Sequence, residues 1–161
     1  MTYHILFVCL GNICRSPLAE AVFKRKAEEA GLGSRFMVDS AGLIDYHEGE
    51  LADPRMRDHA GRRGYRLTHR SRPIRPADYQ RFDLIVGMDE ANLKALRRLA
   101  PSREARDKVH GIADYFRQFR GQATVPDPYY GGPDDFELAI DLIEDACEGL
   151  IEQLRREVNW E

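Results

Sequence analysis

The residues with the clearest chemical potential form one short segment near the start of the chain, Cys9-Leu10-Gly11-Asn12-Ile13-Cys14-Arg15-Ser16. An apolar run typical of a buried strand ends at the cysteine, and the Ser16-Pro17 pair predicts a helix start with serine as the N-cap. The N–H groups of a loop in this position can surround one anion, and the helix N-terminus adds partial positive charge. The planar guanidinium of Arg15 can grip two phosphate oxygens, and the same field favours the nucleophilic thiolate of Cys9. The segment therefore predicts a phosphate site that contains its own nucleophile.

A proton donor for such chemistry is offered much later in the chain, at Asp127. This residue lies between Pro126 and Pro128, which stiffen its backbone and fix its direction. A phenolate leaves phosphate slowly unless its oxygen is protonated, and a positioned carboxylic acid contributes about 10²- to 10⁴-fold. Pro-Asp-Pro is also ordinary turn composition, so the residues alone support a catalytic acid and a surface turn equally.

Predicted strands and helices alternate along the chain. Strands are predicted at four apolar segments, residues 3–8, 36–38, 82–86 and 109–112. Strands separated by helices predict βαβ units and a parallel sheet. We therefore expect an α/β fold: one three-layer domain over residues 1–161, with helices on both faces of a four-stranded parallel sheet. The ligand site of such a sheet lies beyond the carboxyl ends of its strands, where the Cys9–Ser16 segment falls.

Capping residues mark the predicted helix starts. Asp53 precedes Pro54, and Asp89 precedes the helix that carries Leu93 and Leu96. Asp134 is predicted to cap the longest helix, with Glu137 three residues on in a capping-box pattern.

The composition fits one globular domain. Of the 161 residues, 43% are hydrophobic and 32% are charged, a balance that argues against disorder. The net charge of −3 argues against a strongly basic nucleic-acid binder. No apolar run approaches the roughly 20 residues of a membrane span, and the N-terminal stretch lacks the basic region of a signal peptide. With three cysteines and no export signal, we expect a reduced cytoplasmic protein that binds neither nucleic acid nor membrane.

The charge is unevenly distributed. Between Arg62 and Arg81 the chain has seven arginines and one acid, Asp78. This segment is either a solvated face or a basic rim that favours anionic partners.

The motifs resemble those of the low-molecular-weight protein tyrosine phosphatases. Besides the segment at 9–16, the matching motifs are Asp39-Ser40-Ala41-Gly42, Met88-Asp89 with Asn92, and Asp127-Pro128-Tyr129-Tyr130-Gly131, in the family's order and spacing. The resemblance implies that Cys9 forms a phosphocysteine while Arg15 binds phosphate together with the loop residues Leu10, Gly11, Asn12, Ile13, Cys14 and Ser16. It implies that Asp127 is the general acid and then the base. It implies no cofactor and no metal, and no histidine cluster has zinc spacing.

Supporting residues are also carried over from the resemblance. In this family the residues that match Asn12, Ser40 and His69 hydrogen-bond together, which holds the asparagine in a left-handed conformation. The residue matching Asp89 caps a helix and pairs with the loop arginine, while Ser16 steadies the Cys9 thiolate. The walls of the substrate slot would be Ile13, Tyr46, Tyr129 and Tyr130, of which Tyr46 is the loosest match. The remaining histidines, among them His47, suggest only surface or core roles.

Cys14 has a predicted redox role. Because Cys9 and Cys14 lie five residues apart in a loop that must curl, their α-carbons could lie within the ~4.4–6.8 Å that a disulfide accepts. Cys14 would then capture a sulfenic acid formed on Cys9, which keeps the oxidation reversible. Alternatively, Cys14 only packs beneath the loop.

Two other functions share parts of this pattern. Thiol-coupled arsenate reductases have the same loop, but they need two further cysteines after the third helix, and residues 82–88 contain none. A catalytically silent phosphate-binding module would need neither Cys9 nor Asp127. The preferred interpretation is a tyrosine phosphatase whose partners are phosphotyrosine proteins, a tyrosine kinase among the candidates, and which acts as a monomer or weak dimer.

Overall fold

The computed structural model describes residues 1–158, and its centre is a sheet of four parallel strands. The strands are β1 (Tyr3–Cys9), β2 (Phe36–Gly42), β3 (Leu84–Gly87) and β4 (Val109–Gly111), in the order β2-β1-β3-β4. β1 pairs with β2 along its full length, from Tyr3 opposite Phe36 to Cys9 opposite Gly42. The predicted four-stranded parallel sheet is confirmed, although β2 extends four residues beyond the predicted end at residue 38.

Helices cover both faces of the sheet. They are α1 (Arg15–Glu29), α2 (Pro54–Arg62), α3 (Asp78–Arg81), α4 (Glu90–Leu99), α5 (Arg103–Asp107) and α6 (Pro133–Glu157), with short 3₁₀ turns at Gly33–Arg35 and Ile112–Tyr115. The core on one face is built by α1, α2 and α6, and the core on the other by α3, α4 and α5. Within residues 1–158, no helix is both long and apolar enough to cross a membrane.

The position of β1 inside the sheet explains its apolar sequence. Ile5, Phe7 and Cys9 of β1 face the first core, whereas Leu6 and Val8 face the second. A strand buried on both sides reads as one continuous apolar run instead of an alternating pattern. The same alternation sends the Cys9 side chain toward α1, where the strand ends.

Two of the predicted helix starts are wrong. α1 begins at Arg15, and its N-cap position is Cys14 and not Ser16. The Ser16 hydroxyl is instead used in contacts with Cys9 and Asn12.

The start of α6 also differs from the prediction. The helix begins at Pro133 after Gly132, and the side chain of Asp135 accepts a hydrogen bond from the Gly132 N–H at 2.8 Å. The predicted partner Glu137 is taken by Arg63 and His59. The caps at Asp53 and Asp89 are confirmed, since each side chain accepts a hydrogen bond from the first turn of its helix.

Candidate active site

The backbone between β1 and α1 curls into a loop at Asn12. Asn12 has a φ of 57°, the only positive φ outside glycine among residues 1–158. Asparagine adopts this left-handed conformation at lower cost than most residues. The end of β2 packs tightly against the loop, since a Cβ atom at Gly42 would lie 3.1 Å from atoms of Gly11 and Asn12. The structure therefore gives Asn12 the conformation that the family resemblance implied.

The sulfur of Cys9 is buried at the N-terminal end of α1. Its Sγ lies 3.0 Å from the Ser16 Oγ and accepts a hydrogen bond from the Ser16 N–H at 3.4 Å. The N-terminus of this 15-residue helix carries partial positive charge, which stabilises a thiolate. Ser16 thus contacts the sulfur through both its backbone and its hydroxyl.

The side chain of Asn12 holds the loop against distant segments. Its Nδ2 donates to Ser16 Oγ at 2.8 Å and to Ser40 Oγ at 3.1 Å. Its Oδ1 accepts from His69 Nε2 at 2.9 Å and from the backbone N–H of Arg72 at 3.0 Å. Every polar atom of this amide is therefore engaged, which fixes the orientation of the side chain. Asn12, Ser40 and His69 come together in the structure.

Three charged residues that the sequence did not single out extend this network. Ser40 Oγ donates to Glu20 Oε1 at 2.8 Å, and His69 Nδ1 lies 3.3 Å from both Glu20 and Asp39. Arg72 donates to Asp39 Oδ2 at 3.0 Å through its Nη2. Glu20, Asp39 and His69 have the donor types of a metal site, but their atoms already bond to Ser40, Arg72 and Asn12. The cluster therefore acts as a braced scaffold behind the loop.

Arg15 is buried and has one donor atom to spare. Its Nη1 donates to Asp89 Oδ2 at 2.7 Å and to the Val125 carbonyl at 2.9 Å. Its Nε is buried and has no hydrogen-bond partner among the described residues. Burial alone would lower the pKa of Arg15, but the neighbouring Cys9 sulfur and the bond to Asp89 raise it above the usual value. A buried cation with an open donor beside a sulfur is suited to bind an anion.

A cleft of about 320 Å³ opens above the loop. The residues that line it are Cys9, Leu10, Gly11, Ile13, Cys14, Ile44, Tyr46, His47, Asp127, Tyr129 and Tyr130. All four predicted slot residues are therefore present. Tyr46 and Tyr130 are largely exposed and form the rim, while the Tyr129 and Tyr130 rings meet edge to face at 4.9 Å. His47 also lines this cleft, and its Nδ1 lies 3.1 Å from Glu50 Oε2.

Asp127 lies at the edge of the cleft on an exposed loop. Its Oδ1 accepts a hydrogen bond from the Tyr129 N–H at 3.1 Å. Its Oδ2 lies 3.5 Å from Arg15 Nη2. The side chain is 38% exposed, so it can reach both substrate and water.

The other two cysteines differ from Cys9 in their surroundings. Burial, followed by the nearby Asp53 and Cys9, raises the pKa of Cys14, which lines the floor of the cleft. Cys147 lies in the first core, where burial raises its pKa as well. All three cysteines are free thiols in the structure.

Most arginines of the basic segment 62–81 have partners within the fold. Arg63 pairs with Glu137, Asp141 and Glu144. Arg62 pairs with Asp58, Arg72 with Asp39 and Asp78, and Arg75 with Glu48. The segment is therefore closer to a neutralised face than to a free basic rim.

Comparisons with known proteins agree on one family. The family model described as low molecular weight phosphotyrosine protein phosphatase matches residues 4–160. The chain is 46% identical over 159 residues to a low molecular weight protein-tyrosine-phosphatase of Streptomyces coelicolor, covering 98% of this chain and 97% of the relative. It is 37% identical over 153 residues to the human low molecular weight phosphotyrosine protein phosphatase, covering 94% and 96%.

Solved structures give the same result. A protein tyrosine phosphatase from Entamoeba histolytica with Hepes in the active site superposes with a TM-score of 0.92 at 44% identity, covering 96% of this chain and 97% of that one. A Drosophila protein described as an arginine phosphatase superposes with a TM-score of 0.87 at 30% identity, covering 96% and 99%.

Proposed function

Because the chain belongs to the low molecular weight phosphotyrosine protein phosphatase family, we propose that it hydrolyses phosphotyrosine in proteins through a phosphocysteine on Cys9. The family identifies the chain as a protein tyrosine phosphatase and a hydrolase. The observation that carries the mechanism is the buried guanidinium of Arg15 near the Cys9 sulfur, because its Nε has no hydrogen-bond partner among residues 1–158. An anion bound there would sit at the N-terminus of α1, with the nucleophile directly beneath it.

The first step is transfer of the phosphoryl group to sulfur. The Cys9 thiolate attacks phosphorus, so that an S–P bond forms while the P–O bond to the tyrosine breaks. Asp127 gives its proton to the departing phenolate oxygen. Arg15 and the N–H groups of the loop bear the charge of the transferring group, which is the largest contribution that a preorganised site makes. The Ser16 hydroxyl, 3.0 Å from the sulfur, stabilises the thiolate before attack and as it is released.

The second step regenerates the enzyme. Asp127, now a carboxylate, takes a proton from water as that water attacks the phosphocysteine. The S–P bond breaks, which returns the Cys9 thiolate and releases inorganic phosphate. The exposed position of Asp127 supports both roles, since the same carboxyl must face the leaving group and then water.

The cleft supports an aromatic substrate. Ile13, Tyr46, Tyr129 and Tyr130 give it apolar and aromatic walls that suit a phenyl ring. Phosphoserine is shorter, so its phosphate would not reach the loop while its backbone stays at the rim. Phosphoarginine is the informative competitor, because one structural relative is described as an arginine phosphatase.

We propose a cytoplasmic site of action on phosphotyrosine proteins, a tyrosine kinase among them, by a monomer or weak dimer. The three free cysteines support a reducing compartment. Thiol-coupled arsenate reduction has no support here, because residues 82–88 contain neither of the two further cysteines that the disulfide relay needs, and Cys147 is buried in the core.

The experiment is hydrolysis of aryl phosphates in EDTA. Nitrophenyl phosphate should be hydrolysed by the wild type, and Cys9→Ser should abolish turnover without unfolding the protein. Asp127→Asn should lower kcat/KM, which reports the first step, by about 10²- to 10³-fold for phenyl phosphate but far less for nitrophenyl phosphate, because nitrophenolate scarcely needs a proton. The matched control is Asp134→Asn, an exposed aspartate in the first turn of α6.

Four results would contradict the proposal in whole or in part. Activity lost to the chelator would indicate a metal enzyme, and activity retained in Cys9→Ser would exclude the phosphocysteine. Equal losses on both substrates in Asp127→Asn would assign that residue a structural role. A phosphoarginine peptide hydrolysed faster than a phosphotyrosine peptide would change the substrate class but not the mechanism.

A further inference from the structure

We propose that Arg55 is a positioning residue for Asp127, acting through the backbone of Tyr129 without touching the substrate. This inference rests on the proposed function, because it concerns the proton transfer assigned to Asp127. Arg55 lies in the first turn of α2 and was not singled out from the sequence.

The loop that carries Asp127 has few attachments of its own. Among the described residues, the only hydrogen bond that joins residues 126–131 to a distant part of the chain comes from Arg55. Its Nη2 donates to the Tyr129 carbonyl at 2.9 Å. The contact of Arg15 with Asp127 is longer, at 3.5 Å. On the N-terminal side of the acid, Val125 is fixed by bonds to Met88 and Arg15, and the Arg55 bond provides the anchor on the C-terminal side.

Tyr129 transmits this anchor to the carboxyl group. The N–H of Tyr129 donates to Asp127 Oδ1, while its carbonyl accepts from Arg55. Both groups belong to the same residue, so a shift of the Tyr129 carbonyl would also move the donor that orients the acid. The Arg55 guanidinium further packs over the rings of Tyr129, at 5.4 Å, and Phe136, at 4.8 Å. These cation–π contacts favour a planar guanidinium over an ammonium group.

Arg55 is itself tied to the phosphate loop through Asp53. The Asp53 carboxylate accepts from Arg55 Nε at 3.1 Å and from Arg55 Nη2 at 3.0 Å. The N–H of Asp53 donates to the carbonyl of Ile13 at 2.8 Å. Burial alone would raise the pKa of Asp53, but its bonds to the Arg55 side chain and backbone hold that pKa below the usual value. The brace therefore spans from the loop that binds phosphate to the loop that carries the acid.

The guanidinium of Arg55 makes a set of hydrogen bonds that a lysine side chain could not reproduce. One Nη2 atom donates both to Asp53 and to Tyr129, while Nε completes the pair with Asp53. A lysine could keep one of these bonds but not the bidentate pair and the second acceptor together. Arg55→Lys should therefore loosen the acid loop while it keeps the positive charge.

The test is a leaving-group comparison on the full chain. Arg55→Lys and Arg55→Met should lower kcat/KM for phenyl phosphate, which reports the step that releases the phenolate, by about 10- to 100-fold, as a small displacement of a reacting group does. For nitrophenyl phosphate, which needs little protonation, the loss should stay below about 3-fold. The matched controls are Arg62→Lys and Arg62→Met on the same helix, where the exposed arginine pairs with Asp58, and both should match the wild type on either substrate.

A double-mutant cycle separates positioning from general stabilisation. In an Asp127→Asn background, Arg55→Met should cause no further loss on phenyl phosphate, because the acid that it positions is already absent. In each variant, competitive inhibition by inorganic phosphate measures anion binding, and the midpoint of urea unfolding measures the stability of the fold.

The outcomes distinguish this inference from the proposed function. Equal losses on both substrates, or full additivity of Arg55→Met with Asp127→Asn, would overturn the positioning role. A wild type without aryl phosphatase activity would instead overturn the proposed function. If Arg55→Met unfolds, Arg55→Lys carries the same test, and wild-type behaviour of a folded Arg55→Lys on phenyl phosphate would contradict the inference.

Discussion

Substitutions at Asp89 can separate its ion pair with Arg15 from its role as the N-cap of α4, because its two carboxylate oxygens have different partners. Oδ1 accepts from the N–H of Asn92 at 2.8 Å, which caps α4. Oδ2 accepts from Arg15 Nη1 at 2.7 Å. In Asp89→Asn, one oxygen remains to cap the helix, while the NH₂ group replaces the acceptor of Arg15. In Asp89→Ala, both interactions are lost.

The expected magnitudes follow from the two contacts. An N-cap replaced by alanine costs about 1 kcal/mol of stability, and asparagine caps as well as aspartate. A hydrogen bond to a charged group contributes roughly 1.5–3 kcal/mol. The lower half of that range applies here, since Arg15 is 2% exposed but the Asp89 side chain is 27% exposed and partly screened. We expect losses of about 1.5–2 kcal/mol for Asp89→Asn and about 2.5–3 kcal/mol for Asp89→Ala.

The affinity for inorganic phosphate should depend on the Arg15–Asp89 ion pair and not on the cap of α4. Without Oδ2, Arg15 keeps only the Val125 carbonyl as a partner of Nη1, and its open Nε no longer has a fixed direction. The inhibition constant for inorganic phosphate should therefore rise about 10- to 30-fold in both Asp89 variants, the equivalent of about 1.4–2 kcal/mol.

The assay combines urea unfolding with phosphate inhibition of nitrophenyl phosphate hydrolysis. The matched control is Ser102→Ala, which removes the side-chain cap of α5, a bond to the Ala105 N–H at 3.0 Å. It should lose about 1 kcal/mol of stability with unchanged phosphate affinity. Wild-type phosphate affinity in Asp89→Asn would refute the reasoning, since Arg15 would then hold its direction without a charged partner.

Two further predictions concern the thiols and the buried tyrosines. After inactivation by peroxide, wild type should recover activity with dithiothreitol, whereas Cys14→Ser should stay inactive because no neighbouring thiol captures the Cys9 sulfenic acid; equal recovery would leave Cys14 with packing alone. Burial raises the pKa of Tyr79 to about 12 and also raises those of Tyr65 and Tyr115. Unfolded tyrosines lose their protons near pH 10, so stability should be intact below about pH 10 and should fall as the pH rises toward 12. A urea midpoint that does not change between about pH 10 and 12 would contradict the raised pKa values of these tyrosines. Tyr79→Phe should weaken the dependence of stability on pH.

The parts of the fold that the sequence could predict are those determined by local physics. β1 is apolar throughout because both of its faces are buried, and the caps at Asp53 and Asp89 bond within their own first turns. The predicted cap at Ser16 was wrong because the buried sulfur and Asn12 compete for its hydroxyl. Both partners lie in the same segment, seven and four residues before Ser16, and they reach its hydroxyl because the loop curls back, which the pattern of a helix start does not indicate.

The same distinction applies to the candidate site. Residues within the motifs could be assigned, because each motif places a nucleophile, an anion-binding loop or an acid in one stretch of chain. Glu20 and Arg72 could not, since charged residues on helices and loops are most often solvated. Asp39 belongs to one of the matching motifs, but the sequence indicated no role for it. Their function is visible only once His69 and Ser40 bring them behind Asn12. A weak signal did exist for Glu20, which stands next to Ala19 on the apolar face of α1.

The site is therefore built from two parts that are held in different ways. The loop from Cys9 to Ser16 rests on a buried network in which every polar atom of Asn12 is engaged. The loop of Asp127 rests on exposed contacts, chiefly the bond from Arg55 to Tyr129. Arg15 contacts both parts, and Asp53 connects Arg55 to the carbonyl of Ile13 in the phosphate loop. Changes behind the phosphate loop should still act chiefly on anion affinity, and changes at Arg55 chiefly on protonation of the leaving group. A rigid anion site with a separately held acid also suits the proposed chemistry, in which the phosphate would stay fixed through both steps while Asp127 turned from the phenolate to water.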